Sequence, residues 1–278
     1  MTQMTHIEGA DLWTEISGSG EPVLQIHGSG FGHYNFAPVT PLLASRFQVI
    51  DYDQRGYGGS SRPEALYSIE GWADDAVKLL DALGIEKAHI HGTSMGGMVA
   101  QVLAGKYPDR TQSVVINCAA AKLGRNGRLV FQNWIDIVHL DPAGPGSKIL
   151  AEMITWQALS PNYLESAAGT NAVDEIQEIL AKSNSVGPFV AACRAMQEMD
   201  LREWVTKIEA PALVLGGDRD LMTPWDQGPK GAGQQWIADN LQHGEVYIVK
   251  DGGHSTPFDS TQEHCRVVID FFARHPIQ

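Results

Sequence analysis

Ala88-His89-Ile90-His91-Gly92-Thr93-Ser94-Met95-Gly96 decides how this chain is read. The short apolar run Ala88–His91 leads into a G-x-S-x-G pentapeptide, and apolar spacing from Val99 through Leu103 is helical. A serine between a strand and a helix sits in a tight, strained turn. Glycines flank it because a Cβ there would strike the neighbouring strand or helix. Ser94 is thereby presented at the head of a helix, exposed to whatever lies above.

A serine hydroxyl is a weak nucleophile at neutral pH, so it needs a base within hydrogen-bond reach and a third group to orient that base. Gly217-Asp218-Arg219-Asp220-Leu221-Met222-Thr223-Pro224 follows an apolar run at Ala212–Gly216, and Gly252-Gly253-His254 follows one at Val246–Val249. Both loops fall at carboxyl ends of expected strands, where open α/β sheets place their ligand crevice. Ser94, an aspartate of the first loop and His254 therefore form the expected catalytic set. His91 reads as a packed strand residue, since nothing in the sequence converges on it.

Leu12–Ile16, Val23–His27, Gln48–Tyr52 and Ser113–Asn117 complete seven strand-like runs. Between them the period changes: Ile69, Trp72, Ala73, Ala76, Leu80 and Leu83 fall on one helical face, as do the apolar residues of Val267–Phe272. Strands alternating with helices predict a mostly parallel central sheet flanked by helices, an α/β fold. The alternation stops between about Lys122 and Ile208. There Leu129–Val138, Ile149–Leu159, Val173–Leu180 and Phe189–Met199 all follow helical spacing, broken by Asp141–Gly146 and Ser185–Pro188. The expected organisation is a core of 1–121 and 207–278, interrupted by a helical cap over 122–206.

On these motifs the chain resembles the α/β-hydrolase superfamily, everywhere except the helical insertion. The resemblance implies the α/β-hydrolase fold with a cap inserted after the sixth core strand, Ser94 as nucleophile and His254 as base. The family's G-x-x-D-x-x-x-P matches Gly217–Pro224 and selects Asp220 as the acid, with Asp218 the runner-up. An oxyanion needs two inward N–H donors. One is expected from Met95, which follows the nucleophile at a helix start. The other is assigned to Ser29 by similarity of His27-Gly28-Ser29-Gly30 to the family's His-Gly loop. Asp53-Gln54-Arg55-Gly56-Tyr57-Gly58-Gly59-Ser60 is similar to a D-x-R-G-x-G-x-S loop whose role is architectural, with Arg55 tying loops together.

Dehalogenases and epoxide hydrolases of this family carry aspartate where Ser94 stands, so serine implies acyl transfer to water. Ester or lactone hydrolysis ranks first, with a resemblance to 3-oxoadipate enol-lactonase relatives in the insertion and from Met199 to Pro224. C–C hydrolases of ring-cleavage dienoates are the alternative. They tend to carry proline where Phe31 stands and tryptophan where Ser255 stands. A third reading, a non-catalytic small-molecule receptor, has no need of nucleophile, base and orienter together. Phe31, Phe131, Trp134, Trp156, Phe189 and Met196 are the expected pocket liners. Arg125 and Arg128, entering the insertion, are candidates for pairing with a substrate carboxylate.

With 43% hydrophobic and 19% charged residues among 278, the composition is that of an ordinary soluble globule. A net charge of −13 disfavours nucleic acid and anionic membranes as partners. No stretch approaches the ~18 uninterrupted apolar residues of a membrane helix, and no leader-like segment opens the chain, so a cytoplasmic location is expected. Cys118, Cys193 and Cys265 are far apart, histidines are not clustered, and neither a P-loop nor a dinucleotide fingerprint is present, so no cofactor and no metal is expected. The expected partner is a small-molecule substrate; a homo-oligomer is left open.

Overall fold

Parallel strands whose residues alternate between two apolar layers organise the computed structural model, which describes residues 1–63 and 67–277. The strands are β1 (Thr2–Ile7), β2 (Ala10–Ser17), β3 (Pro22–Ile26), β4 (Gln48–Tyr52), β5 (Ala88–Thr93), β6 (Thr111–Asn117), β7 (Ala212–Gly217) and β8 (Gly244–Val249). They form one sheet in the order β1-β2-β4-β3-β5-β6-β7-β8. β2 runs antiparallel to β1 and β4, and the other pairs are parallel. Seven of these strands correspond to the runs read from the sequence; β1 does not. Half of its residues are exposed, and the polar Thr-Gln-Met-Thr-His pattern of an edge strand lacks the apolar run that marks its neighbours.

The helices are α1 (Thr40–Leu43), α2 (Ile69–Ala82), α3 (Met95–Lys106), α4 (Arg125–Leu140), α5 (Lys148–Ala158), α6 (Pro161–Leu164), α7 (Ala172–Ser183), α8 (Val186–Glu198), α9 (Arg202–Val205), α10 (Gln234–Asn240), α11 (Thr256–Asp259) and α12 (Thr261–Ala273). Among the described residues no helix is long and apolar enough to cross a membrane. α1 and α12 cover one face of the sheet, on Val23, Val49, Val115 and Leu213. Helices α2, α3 and α10 cover the other, on Leu24, Ile50, Ile90, Val114 and Val214. Each such aliphatic side chain, fully buried, contributes roughly 1.5–3 kcal/mol. α2 begins where Ser68 accepts a hydrogen bond from Gly71 N–H at 3.0 Å, and its buried stripe includes Ile69, Trp72, Ala73, Ala76 and Leu80.

The interval between β6 and β7 is helical. Its apolar residues join the α2/α3 layer in one continuous core. The break after α4 is made by Asp141, which accepts from Ala143 N–H at 2.9 Å and Ser147 Oγ at 2.6 Å. At the far end α9 returns to the sheet layer: Leu201 N–H donates to the Ala121 carbonyl at 2.7 Å, and the Trp204 carbonyl lies over Gly105 of α3.

α3 approaches the sheet closely at its first turn. A Cβ on Gly96 would run into the carbonyl oxygens of Ile26 and His27, and one on Gly92 into the carbonyl of Gly96. These two glycines allow the turn that carries Ser94, whose own φ of 55° and ψ of −121° lie outside the regions L-residues favour.

A row of polar side chains crosses the α1/α12 face beneath that turn. Asp51, Gln25 and His91 are register neighbours on β4, β3 and β5. Thr40 Oγ1 stands 2.8 Å from Asp51 Oδ2 and 2.7 Å from Gln25 Oε1, and Gln25 Nε2 is 3.4 Å from His91 Nδ1. His91 Nε2 meets His264 Nε2 at 3.0 Å; His264 Nδ1 is 3.0 Å from Thr256 Oγ1, which donates to Asn117 Oδ1 at 3.0 Å. Asn117 Nδ2 donates to Thr93 Oγ1 at 2.7 Å, and the Asn117 carbonyl accepts from Ser94 N–H at 2.9 Å. With Asp51 protonated, every member of this row donates to the next in a single direction, ending at Thr93. Burial pushes the Asp51 carboxyl up to about 7, opposed by the Thr40 hydroxyl and the His33 charge and helped by Glu15 and Asp53. Its Oδ1 has no partner among the described residues, a smaller penalty for a neutral acid than for a carboxylate.

Two outcomes follow from this packing. The stability that neutral Asp51 contributes is complete below about pH 4 and is lost as pH rises to its folded pKa. Asp51→Asn keeps a donor for Thr40 and removes the titration, so its melting temperature relative to wild type should rise from about pH 4 to about pH 7 and level off above; a constant gap across that range refutes the neutral assignment. Gly96→Ala should lower the urea-unfolding free energy by about 3 kcal/mol through overpacking at the Ile26 carbonyl.

Candidate active site

Three carboxyl-end loops of the sheet bring one side chain each to a common point. Ser94 Oγ lies 2.8 Å from His254 Nε2, and His254 Nδ1 lies 3.0 and 3.1 Å from the two oxygens of Asp220. These are hydrogen-bonding distances along a continuous line from hydroxyl to imidazole to carboxylate. Asp218, the runner-up, is exposed beside Arg219 and makes no contact with the imidazole.

Asp220 is buried among donors. Met222 and Thr223 N–H each donate to its Oδ1 at 2.9 Å, Thr223 Oγ1 is 2.9 Å from its Oδ2, and Gln234 Nε2 is 3.3 Å from the same oxygen. Burial alone would raise its pKa, but the charge and hydrogen bond of His254, with the Thr223 N–H and hydroxyl, outweigh it and hold the carboxyl below the usual range. The group is therefore a carboxylate, able to hold a protonated imidazole behind it. Thr223 and Gln234 carry no signal in sequence beyond their nearness to the aspartate; Gln234 reaches it from α10 and also donates to the Thr223 carbonyl at 2.7 Å.

His254 is held through its neighbours. Ser255 N–H donates to the Ala158 carbonyl at 2.8 Å, and Asp259 Oδ2 accepts from Gly253 N–H at 2.8 Å and Ser160 N–H at 3.0 Å. The histidine loop is thus fastened to the end of α5. Gly217 permits this loop to lie against β7, since a Cβ there would meet the carbonyls of Gly252 and Gly253. Cys118 lies under the pair, and its thiol with Asp220 and His254 makes a group of three ligand atoms within 4.8 Å of one another. Burial, then the Asp220 charge, push the thiol well above its ordinary pKa, so it is a neutral packed group. A metal held by these three atoms would displace the hydrogen bonds between Asp220 and His254.

The His27–Gly30 loop faces Ser94 from the end of β3. Gly28 sits so close that a Cβ would come within 3.1 Å of the Ser94 Cβ. Its N–H is engaged, donating to Asn35 Oδ1 at 2.6 Å, and Ser29, next along the loop, lines the space above Ser94. Buried His27 accepts from Gln54 N–H at 2.9 Å through Nε2 and donates from Nδ1 to the Gly28 carbonyl at 2.8 Å. Burial pushes its pKa down to about 4, so it acts as a neutral strut between this loop and Gln54. Behind it Arg55 binds both oxygens of Asp75 at 2.7 Å and reaches the Gly9 carbonyl at 3.2 Å, joining the 53–60 loop to α2 and the β1–β2 turn. Its place is architectural, as the sequence reading has it.

Over Ser94 and His254 lies a small cavity of about 20 Å³, measured as the space open to the centre of a water molecule. Gly28, Ser29, Phe31 and Asn35 form one side, and Trp134, Ile154 and Ala158 of the insertion form the other. Thr93, Ser94, Met222, His254 and Ser255 complete it. Of the eight residues read as liners, Phe31 and Trp134 are at the cavity. Phe131 and Phe189 stand behind Trp134, the first edge-on at 5.0 Å and the second stacked at 6.2 Å. Met196 is fully buried in the core, and Trp156 is 55% exposed. Arg125 is exposed and Arg128 half-buried on the first turns of α4, and neither lines the cavity. Helical spacing cannot tell which face of a buried amphipathic helix meets the core and which meets a ligand, and this is why those six stand elsewhere. Asn35, Ile154 and Ala158 were missed because single residues between motifs give no chemical signal, and Met222 because it stands at a variable position of the aspartate motif.

Comparison with known proteins shows the family to which this fold belongs. Residues 21–261 match the family model described as alpha/beta hydrolase fold. The chain is 29% identical over 205 residues to 3-oxoadipate enol-lactonase 2 of Acinetobacter baylyi, covering 74% of this chain and 71% of that protein. It is 30% identical over 269 residues to a protein bearing the name carbamate hydrolase RutD in Variovorax paradoxus, covering 95% of this chain and 96% of that one. In fold it is like the enol-lactonase of Burkholderia xenovorans LB400, with a TM-score of 0.86 at 24% identity over 97% of this chain and 99% of the other. The chain thus belongs to the alpha/beta hydrolase fold family, and it is a hydrolase of that fold.

Proposed function

We propose that this hydrolase cleaves a small-molecule carboxylic ester or lactone through an acyl-enzyme on Ser94. The observation that carries the reading is the 2.8 Å approach of Ser94 Oγ to His254 Nε2, with the Asp220 carboxylate on the far side of the same ring. His254 takes the Ser94 proton as Oγ attacks the substrate carbonyl carbon, and the π electron pair moves to the carbonyl oxygen. Collapse of that oxyanion re-forms the carbonyl and expels the alkoxide, which takes the proton from His254 Nε2. Water then attacks the acyl-enzyme with His254 as base, and the second collapse releases the acid and returns Ser94 as a hydroxyl.

The N–H groups of Ser29 and Met95 are the donors proposed for the oxyanion. That of Met95 heads α3, where the helix dipole adds to it, and each such donor is worth about 3 kcal/mol. The helices over 122–206 act in this reading as a cap, supplying Trp134, Ile154 and Ala158 as the roof of the site and excluding water from it. The names of the relatives, a lactone hydrolase and a carbamate hydrolase, both denote attack on an acyl carbon and support the same chemistry.

A fluorophosphonate probe should modify wild-type protein at Ser94 and leave Ser94→Ala unmodified; an unlabelled wild type sinks the proposal. Ser94→Ala should lose a factor of about 10⁴ to 10⁶ in kcat on any ester the wild type turns over. Asp220→Asn should cost about 10⁴ in kcat with little change in KM, because the imidazole loses its orienting acceptor while the substrate walls stay intact. Loss of affinity alone in that variant would place Asp220 outside the proton-transfer step.

A further inference from the structure

We infer that the acyl group taken by this site is compact and uncharged, with Trp134 as the wall that limits its length; this rests on the acyl-transfer reading above. The space above Ser94 is about 20 Å³ as open to a water centre, room for on the order of one ordered water. Its walls are Phe31, Trp134, Ile154, Ala158 and Met222, all apolar. The polar groups that join them are hydroxyls, the imidazole and one amide, and among the described residues no lysine or arginine lines the space. A carboxylate carried on the acyl chain would lose its hydration against these walls without gaining a cation, which costs several kcal/mol. Close behind His254 stands the Asp220 carboxylate, of like sign.

Trp134 is fixed from three sides. Phe189 stacks on it at 6.2 Å and 23°, Phe131 meets it edge-on at 5.0 Å and 78°, and its indole N–H donates to Gln157 Oε1 at 3.3 Å. Helices α4, α5 and α8 therefore hold one ring in one place, and it is 2% exposed. A wall held in this way discriminates by size because the ring has nowhere to turn. Ala158 faces the same space from α5 and sets its depth by being small.

The test measures kcat/KM for 4-nitrophenyl acetate, butyrate and octanoate, and for 4-nitrophenyl 4-methylpentanoate against 4-nitrophenyl hemisuccinate, whose acyl chains match in shape and differ in charge. Wild type should favour acetate or butyrate over octanoate by at least about tenfold. Trp134→Ala should raise octanoate relative to acetate by about tenfold, and Ala158→Val should lower butyrate relative to acetate by a similar factor. The hemisuccinate should fall about 100-fold below its neutral partner. Hemisuccinate within about threefold of that partner overturns the charge assignment. Octanoate at parity in the wild type, or a chain-length profile unchanged in both variants, overturns the size assignment. If fluorophosphonate labels Ser94 but no compact neutral ester is turned over, the substrate class is wrong and the nucleophile stands. If Ser94 is not labelled either, the acyl-transfer reading has failed and this inference falls with it.

Discussion

The backbone at Ser94 carries a φ of 55°, a conformation that costs a non-glycine residue on the order of 1–3 kcal/mol, and the rest of the site exists because the fold holds it there. α3 cannot sit where it does unless Gly96 passes under the Ile26 and His27 carbonyls, and β5 cannot turn into α3 unless Gly92 admits the Gly96 carbonyl. The Ser94 N–H is paired to Asn117 of the adjacent strand, so the turn is bonded on one side and packed on the other. Strain of this kind persists only when the surroundings over-determine it. Here the parallel register of β3, β5 and β6 supplies that determination.

Polar groups inside the molecule follow one rule, that charge is carried only where it is answered. Asp220 is ionised because two N–H groups, a hydroxyl and an imidazole face it. Asp51 has one hydroxyl and an unpartnered oxygen, and its pKa moves up to about 7. His27 is driven the other way, down to about 4, and serves as a strut that both donates and accepts. These three groups, all buried, have distinct protonation behaviour because their partners differ, not because their depths do.

The parts of this architecture legible in the sequence were those with strict local requirements. Gly92–Gly96 needs glycines on both sides of Ser94, and His254 follows a glycine pair after a strand; the aspartate loop was legible by its place after a strand, while the choice of Asp220 over Asp218 came from the resemblance to the family's spaced motif. The six internal strands were legible because burial leaves short runs rich in apolar residues, and β8, at the other edge, was legible because it carries valine and isoleucine even at exposed positions. β1 was not, since as an exposed edge strand it carries polar residues at most positions. The pocket lining was legible least. Trp134 and Trp156 stand on successive helices of the insertion, yet one is 2% and the other 55% exposed, a difference set by how α4, α5 and α8 cross. Arg125 and Arg128 could be placed near the insertion's start but not turned inward or outward without coordinates.

The clamp between Asp259, Gly253 and Ser160, with the bond from Ser255 to Ala158, has a mechanical corollary. The roof and the base share one rivet line, so swinging the tail of α5 outward would drag the imidazole off its hydroxyl. Trp134 is tied to the same line, since its indole N–H is bonded to Gln157 of α5, so wall and imidazole are positioned together and the size of the chamber is coupled to the alignment of the groups beneath it.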